Sequence, residues 1–445
     1  METRTDSAPD SGINPGSIHP VVSSYARTES GMAAERLRNL LVDQIASEGL
    51  VRTPRVEETL RMVPRHLFVP GASLEAAYQN ATVSIKQDVD GTSVSCASQP
   101  GVVAIMLEQL QAQPGDRVME IGTGTGYNAA LLARLTEPGG QVTTIDVDQD
   151  LVQGARSVLH VAAVPNVRVL LGDGALGHAA GAPYDRIVAT VGAYGIPPAW
   201  MDQLAPGGRL LVPQRLRGSV CRSIAYERQD GTWRSVGSEM NTFMPLRHGI
   251  ADDQRRMIPL TSTGLVLLQT NSEQKADADA LADVLDQPRT VAWSGVLYRA
   301  MESPEWMELW LTCTLPSGLN QMPAQTEAIE NGLLTQPYRS STAAFDKGAL
   351  TYLTRRLSAE RTPEGDKLWE FGVAGHGPGA GDLVAQVLDA MRTWDRDHRS
   401  RQARFEIHHL EAELPEPRPG QFCFRTPLNQ ILIDWSDGPE AGLPR

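Results

Sequence analysis

Cysteine is scarce in this chain. Cys96, Cys221, Cys313 and Cys423 lie far apart among 445 residues and form no C-x-x-C pair. Such spacing excludes a disulfide framework and a cysteine zinc site, and points to reduced thiols in the cytoplasm. Long apolar runs are missing too. No stretch approaches the roughly 20 residues of a membrane helix, and the first residues lack a charged-then-apolar secretion signal. No membrane partner is expected. Basic residues are outnumbered: Lys and Arg total 40 against 53 Asp and Glu, for a formal charge of -13. Without a strong basic block, general binding to nucleic acid or anionic membranes is not expected. Aromatics make up 5% of the chain, yet six of the eight tryptophans fall beyond Arg255. They read as core more readily than as a peptide-binding surface.

What is present has a clear order. Residues 1–31 are rich in Ser, Pro, Gly and Thr and read as a disordered tail. Helices fit Met32–Ser47, with Gly49 as stop, and Val56–Met62. Ala81–Pro100 reads as strand and loop about an Asp90-Gly91 turn, and Gly101–Gln113 as a further helix. Strands at Val118–Ile121, Gln141–Asp146, Val167–Leu171, Arg186–Thr190 and Arg209–Val212 then alternate with helices at Tyr127–Leu135, Gln149–His160 and Ala199–Leu204. A turn at Pro206-Gly207-Gly208 precedes the last of these strands. This rhythm predicts an α/β, Rossmann-like, mostly parallel sheet with helices on both faces over residues 32–250. Strands Val220–Arg228 and Trp233–Val236 give it an antiparallel end. From 255 to 445 the rhythm is lost. Strand-like runs (Gly264–Gln269, Thr290–Leu297, Met307–Leu315, Gln430–Trp435) mix with helices (Lys275–Leu285, Ala343–Arg356, Asp382–Arg392). A C-terminal α+β domain is expected there, and cutting it away near Arg255 should spare the first domain.

Chemistry concentrates at strand ends, where ligands of open α/β sheets bind. Strand Val118–Ile121 runs into Glu120-Ile121-Gly122-Thr123-Gly124-Thr125-Gly126 and then a helix at Tyr127. Glycines let backbone turn sharply and approach a ligand, and a helix start offers free N–H groups. The pattern E-x-G-x-G-x-G is neither the dinucleotide fingerprint nor a phosphate loop. Its acid suits a ligand with a positive amino group, such as S-adenosylmethionine (AdoMet). Asp146 closes the second strand, placed to accept from ribose hydroxyls. Asp173 and Gly174 follow the third, where a carboxylate can accept from an adenine amino group, and Thr190 ends the fourth. Each acid taken singly is equally a helix cap or turn residue. Together at successive strand ends they outline an adenosine site.

Two further segments, Ser98-Gln99-Pro100-Gly101-Val102-Val103-Ala104 and Val63-Pro64-Arg65-His66-Leu67-Phe68-Val69-Pro70, join Ala182-Pro183-Tyr184-Asp185 and Asp202-Gln203-Leu204-Ala205-Pro206-Gly207-Gly208-Arg209-Leu210. In this order and spacing the chain resembles the protein-L-isoaspartate O-methyltransferase family from about residue 32 to 248, ending near Met244-Pro245-Leu246. The resemblance implies a class I AdoMet methyltransferase fold and methylation of a peptide carboxylate, with S-adenosylhomocysteine (AdoHcy) as product and no metal. It places Glu120, Gly122, Thr123, Gly124, Thr125, Gly126, Asp146, Asp173, Gly174 and Thr190 around AdoMet. Ser98, Gln99 and Gly101 fall on the substrate side, with Ser98 orienting the reacting carboxylate. Ser98 can also serve as a helix cap before Pro100. His66 belongs to a structural helix–loop in this family.

Three departures from the family pattern stand out. Residues 86–97 form an extended polar loop, Gly101 stands where an aromatic or His is usual, and nearly two hundred residues are appended. The loop change can be simple drift, or the pocket can be opened at Gly101 for a bulkier peptide. Together the departures resemble the family branch found beside pathways for ribosomally made peptides (lanthipeptides, lasso peptides, graspetides). That implies methylation of an aspartate in a modified, macrocyclised precursor, whose ester collapses to aspartimide or isoaspartate. The C-terminal domain would recognise the precursor. Isoaspartate repair is the alternative within enzymes, and an AdoMet-sensing peptide-binding module without turnover is the alternative outside them. In the C-terminal part, Gly375–Asp382 is glycine-rich and reads as a connection or an anion-binding helix start. His408 and His409 do not make a metal site.

Overall fold

The computed structural model of the chain describes residues 29–87, 93–241, 243, 255–271, 273–335 and 342–436. Residues 1–28 of the expected tail, the Asp90-Gly91 turn and the Met244-Pro245-Leu246 segment lie outside them. The last three residues of that tail already belong to the helix Glu29–Ser47. The next helix, Pro54–Met62, starts two residues earlier than expected, because Pro54 fits a first turn and the Thr53 hydroxyl accepts from Val56 N at 3.4 Å.

Strands β1 (Val83–Gln87) and β2 (Ser93–Ala97) pair as an antiparallel hairpin. It leads through Ser98 into the helix Pro100–Leu110. That helix stops three residues short of expectation, at Gln111 in the left-handed conformation. The βα region follows: β3 (Arg117–Ile121), β4 (Gln141–Asp146), β5 (Val167–Leu171), β6 (Tyr184–Ala189), β7 (Leu204–Arg217), β8 (Val220–Gln229) and β9 (Thr232–Met240). Helix Tyr127–Leu135 is buried almost all round, whereas Gln149–Val161 buries one stripe, Val152, Ala155 and Leu159. Strands β5, β4, β3, β6 and β7 run parallel, and β8 and β9 continue antiparallel. The predicted Rossmann-like sheet is present. The turn expected at Pro206-Gly207-Gly208 lies inside β7 as a bulge: Gly207 has φ +76°, and the pairing with β6 passes from Leu204 directly to Arg209.

Beyond residue 255, β10 (Arg255–Pro259) pairs with β11 (Leu267–Asn271). A second sheet is antiparallel, in the order β12 (Thr290–Arg299), β16 (Lys367–His376), β15 (Ala349–Arg361), β14 (Thr342–Asp346), β13 (Asn320–Gln321). The expected Gly375–Asp382 connection is shorter than that, since β16 runs to His376; helix Ala380–Asp397 follows Gly377–Gly379 and packs on the second sheet. Two assignments reverse here. Met307–Leu315, expected as a strand, lies in the helix Glu305–Thr314 but for its last residue, since a short, mostly apolar run is too brief for its period to distinguish the two. Ala343–Arg356, expected as a helix, is the β14–β15 hairpin, turned at Lys347 with φ 53°. Its Ala, Leu and Arg content favours helix, but the Asp346-Lys347-Gly348 turn wins.

The chain then returns to the first sheet. β17 (Arg404–His409), β18 (Gln421–Arg425) and β19 (Asn429–Asp434) join β9, giving ten strands in the order β18-β19-β17-β9-β8-β7-β6-β3-β4-β5. One buried cluster therefore contains Met119 and Ile121 of β3 together with Trp310, Phe405, Ile431 and Trp435. The break in rhythm at 255 is not a break in the core. Trp200 and Trp435 have no exposed surface, and Trp310 and Trp394 are buried as well.

Candidate active site

Because β3 lies between β4 and β6, consecutive strands leave it in opposite directions, which opens a crevice at the carboxyl ends. The glycine loop leaves β3 there. At Gly122 φ is +98°, and a Cβ would meet the Thr190 hydroxyl at 2.7 Å. Only glycine lets β6 close on the loop at that point. At Gly124 φ is +51° and a Cβ would meet nothing within 4 Å, so this face of the loop is open to a ligand. The loop is pinned by its neighbours. Gly122 N donates to Ile145 O (2.8 Å), Gly124 N to Asp146 Oδ2 (2.9 Å), and the Thr190 hydroxyl lies 2.6 Å from Gly122 O.

Glu120 is wholly buried beneath the loop. Its Oε2 accepts from the Thr144 hydroxyl (2.6 Å) and its Oε1 from Asn128 Nδ2 (2.8 Å), while the Thr123 hydroxyl lies 2.8 Å from that of Thr144. Burial pushes the Glu120 carboxyl up to about 7, and the bonds from Thr144 and Asn128 only partly oppose it. Thr125 Oγ1 accepts from Tyr127 N at 3.4 Å at the start of the helix. Asp146 also accepts from Asp148 N through Oδ1 (3.1 Å). Asp173 caps a short turn, accepting from Ala175 N (2.9 Å), which is the turn role its position allowed. Gly174 is buried against Ile121, and its carbonyl accepts from Trp200 Nε1 (2.8 Å). All ten residues expected around AdoMet thus lie at the end of β3, on the loop after it, or at the ends of β4, β5 and β6 beside it.

Ser98, Gln99 and Gly101 come on a separate segment. The cap position of helix Pro100–Leu110 falls on Gln99, which makes no side-chain cap bond. The capping role for Ser98 is therefore absent, and among the described residues its partly exposed hydroxyl has no hydrogen-bonding partner. Gly101 does not open a pocket. It is buried, its N–H donates to Asn80 Oδ1 (2.9 Å), and a Cβ would meet Leu50 at 2.7 Å and Asn80 at 3.1 Å. The volume of the usual side chain is taken by those two residues.

Three side chains that organise the site escaped the sequence reading. Arg65 has no exposed surface; it donates to Ala77 O (3.1 Å) and Ala97 O (3.4 Å) and lies 5.6 Å from the Tyr127 ring centroid. It thereby joins the residue before Ser98 to the first residue after the glycine loop. Lys86 on β1 bridges Asp148 and Asp150 at 3.2 Å each, tying the hairpin to the loop after Asp146. Asn80 is the third. Arg65 stood in a family motif and Lys86 at the start of the polar segment 86–97, but nothing in their spacing named their partners. His66 sits 2.7 Å from the Tyr78 hydroxyl, and burial, with Arg38 nearby, lowers its pKa, which favours a neutral ring.

Among the described residues no group of three or more His, Cys, Asp or Glu is placed to share a metal, and no helix is long and apolar enough to cross a membrane. Residues 35–250 match the family model of protein-L-isoaspartate(D-aspartate) O-methyltransferase. A protein-L-isoaspartate O-methyltransferase of Methanopyrus kandleri is 36% identical over 219 residues, covering 49% of this chain and 94% of that one. Protein-L-isoaspartate O-methyltransferase 1 of Rhodopseudomonas palustris is 41% identical over 213 residues, covering 48% and 81%. A solved structure of a protein-L-isoaspartate O-methyltransferase aligns with a TM-score of 0.45 at 18% identity, over 83% of this chain and 96% of that one. Over its first half, then, this chain belongs to the protein-L-isoaspartate(D-aspartate) O-methyltransferase family, carboxyl methyltransferases that use AdoMet.

Proposed function

We propose that the chain methylates the side-chain carboxylate of an aspartate in a ribosomally made, modified precursor peptide in the cytoplasm. AdoMet supplies a methyl group already activated on a sulfonium. Gly122–Gly126 and Thr190 hold its amino-acid end, Glu120 supplies negative charge beneath it, Asp146 accepts from the ribose hydroxyls, and Asp173 with Gly174 holds the adenine. The acceptor carboxylate is ionised at neutral pH and needs no general base. The protein's part is alignment and removal of water. The Ser98 hydroxyl and Gln99 orient the carboxylate, whose oxygen bonds to the methyl carbon as the sulfur–carbon bond breaks and its electron pair stays on sulfur. The next backbone amide nitrogen then loses its proton, attacks the ester carbonyl and expels methanol, closing an aspartimide. Water opens that ring to aspartate or isoaspartate.

The observation that carries this reading over repair is the appended chain. Residues beyond the family match build a second sheet, then complete the catalytic one, and we read them as the part that recognises the precursor. Repair of isoaspartate in many proteins is the second reading, favoured by the names of the relatives that match almost their full length. The test offers AdoMet with an isoaspartyl peptide or with a macrocyclised aspartyl peptide and follows mass. Gain of one methyl and later loss of methanol on the aspartyl peptide alone is expected. Turnover of the isoaspartyl peptide alone makes the chain a repair enzyme, and tight AdoMet binding without turnover makes it a sensor.

A further inference from the structure

The strand order fixes which way a bound AdoMet must point. Asp173 follows β5, Asp146 ends β4 and the glycine loop follows β3, so adenine, ribose and amino-acid end are read in turn across the sheet. The next strand end in that direction belongs to β6. Its continuation, residues 191–197, therefore borders the side on which the methyl group meets its acceptor.

This stretch is held by the far end of the chain. Asn429, at the start of β19, is 1% exposed and bonds Ile196 twice: Ile196 N donates to its Oδ1 and its Nδ2 donates to Ile196 O, both at 2.7 Å. The side-chain amide thus substitutes for a neighbouring strand. Thr426 shapes the turn that presents it, accepting from Asn429 N at 3.1 Å. Gly195 lets the two segments close: φ is +87°, and a Cβ would meet Thr426 Oγ1 at 2.8 Å and Leu428 at 3.2 Å. On the other side Ala193 exchanges backbone bonds with β7, at Pro213 O and Arg215 N, both 2.9 Å.

We propose that Asn429 is a positioning residue for methyl transfer, fixing residues 191–197 as the acceptor-side wall of the site. The appended chain then has a part in the reaction besides any recognition of peptide. This rests on reading the strand ends as the AdoMet site. The test compares Asn429→Ala with Gly195→Ala, which presses on the same contact from the opposite side. The substrate is whichever of the two peptides above the unaltered chain methylates. Both variants should lose about tenfold to a hundredfold in kcat, the scale of a small misplacement of reacting groups, with AdoHcy affinity by calorimetry unchanged. Amide hydrogen exchange should rise over residues 191–197 and not in β3 or β4. An unchanged kcat in either folded variant overturns the proposal. So does AdoHcy affinity falling in step with kcat, which would put the stretch in cofactor binding. If Asn429→Ala does not fold, Gly195→Ala decides. Methylation of neither peptide by the unaltered chain would instead sink the proposed reaction itself.

Discussion

Glu120 carries a carboxyl with no exposed surface and a pKa near 7, raised by burial. Below about pH 4.5 it is neutral whether the chain is folded or not. Between about 4.5 and 7 the unfolded chain ionises first, so the stability this group allows is lost as pH rises, and the loss levels off above 7. Glu120→Gln should therefore gain on the unaltered protein across that window, by a total on the order of 3 kcal/mol. Urea denaturation at a series of pH values measures this, and a difference independent of pH would remove the explanation. Asp146→Ala should weaken AdoHcy binding by on the order of 1–3 kcal/mol, since a charge-assisted acceptor is lost and Gly124 N is released with it. Unchanged affinity in calorimetry would take Asp146 out of the site. These acids could be found from sequence because their place at strand ends follows from the βα period. Arg65 and Asn429 could not, because their partners are main-chain groups, in the second case 233 residues away.

At the scale of elements, the hairpin β1–β2 and the helix Pro100–Leu110 hold Ser98 between them, and the helix start is packed against Leu50 and Asn80. Gly101→Ala should cost about 1–3 kcal/mol of stability through overpacking, where an open pocket would tolerate it. A thermal melt and a methylation assay distinguish the two. The parallel strands could be placed closely from sequence because each is a short apolar run bounded by turn residues and followed by an amphipathic helix. Past residue 255 that help is gone. Glu305–Thr314 buries Met307, Leu309, Trp310, Leu311 and Cys313 without a clear single stripe, and the β14–β15 hairpin is written in residues that favour helix, so tertiary packing decides both.

For the whole molecule, the shared core alters what a truncation does. Removing residues beyond 255 takes away Phe405, Ile407, Ile431, Ile433 and Trp435, which pack in one cluster with Met119 and Ile121 under the glycine loop. Such a truncation should lose cooperative folding and AdoHcy binding together, and the full chain should melt in a single calorimetric transition. A folded, AdoHcy-binding fragment would contradict this. The pairing of β17 with β9 carries a further consequence. Arg234 and Glu406, joined across it at 2.9 Å, are 172 residues apart. During synthesis β9 must wait as an uncovered edge until β17, which follows it by more than 160 residues, has left the ribosome. Maturation of the enzyme thus waits on the synthesis of β17–β19, and a chain ended before β17 is marked for aggregation or proteolysis instead of partial activity.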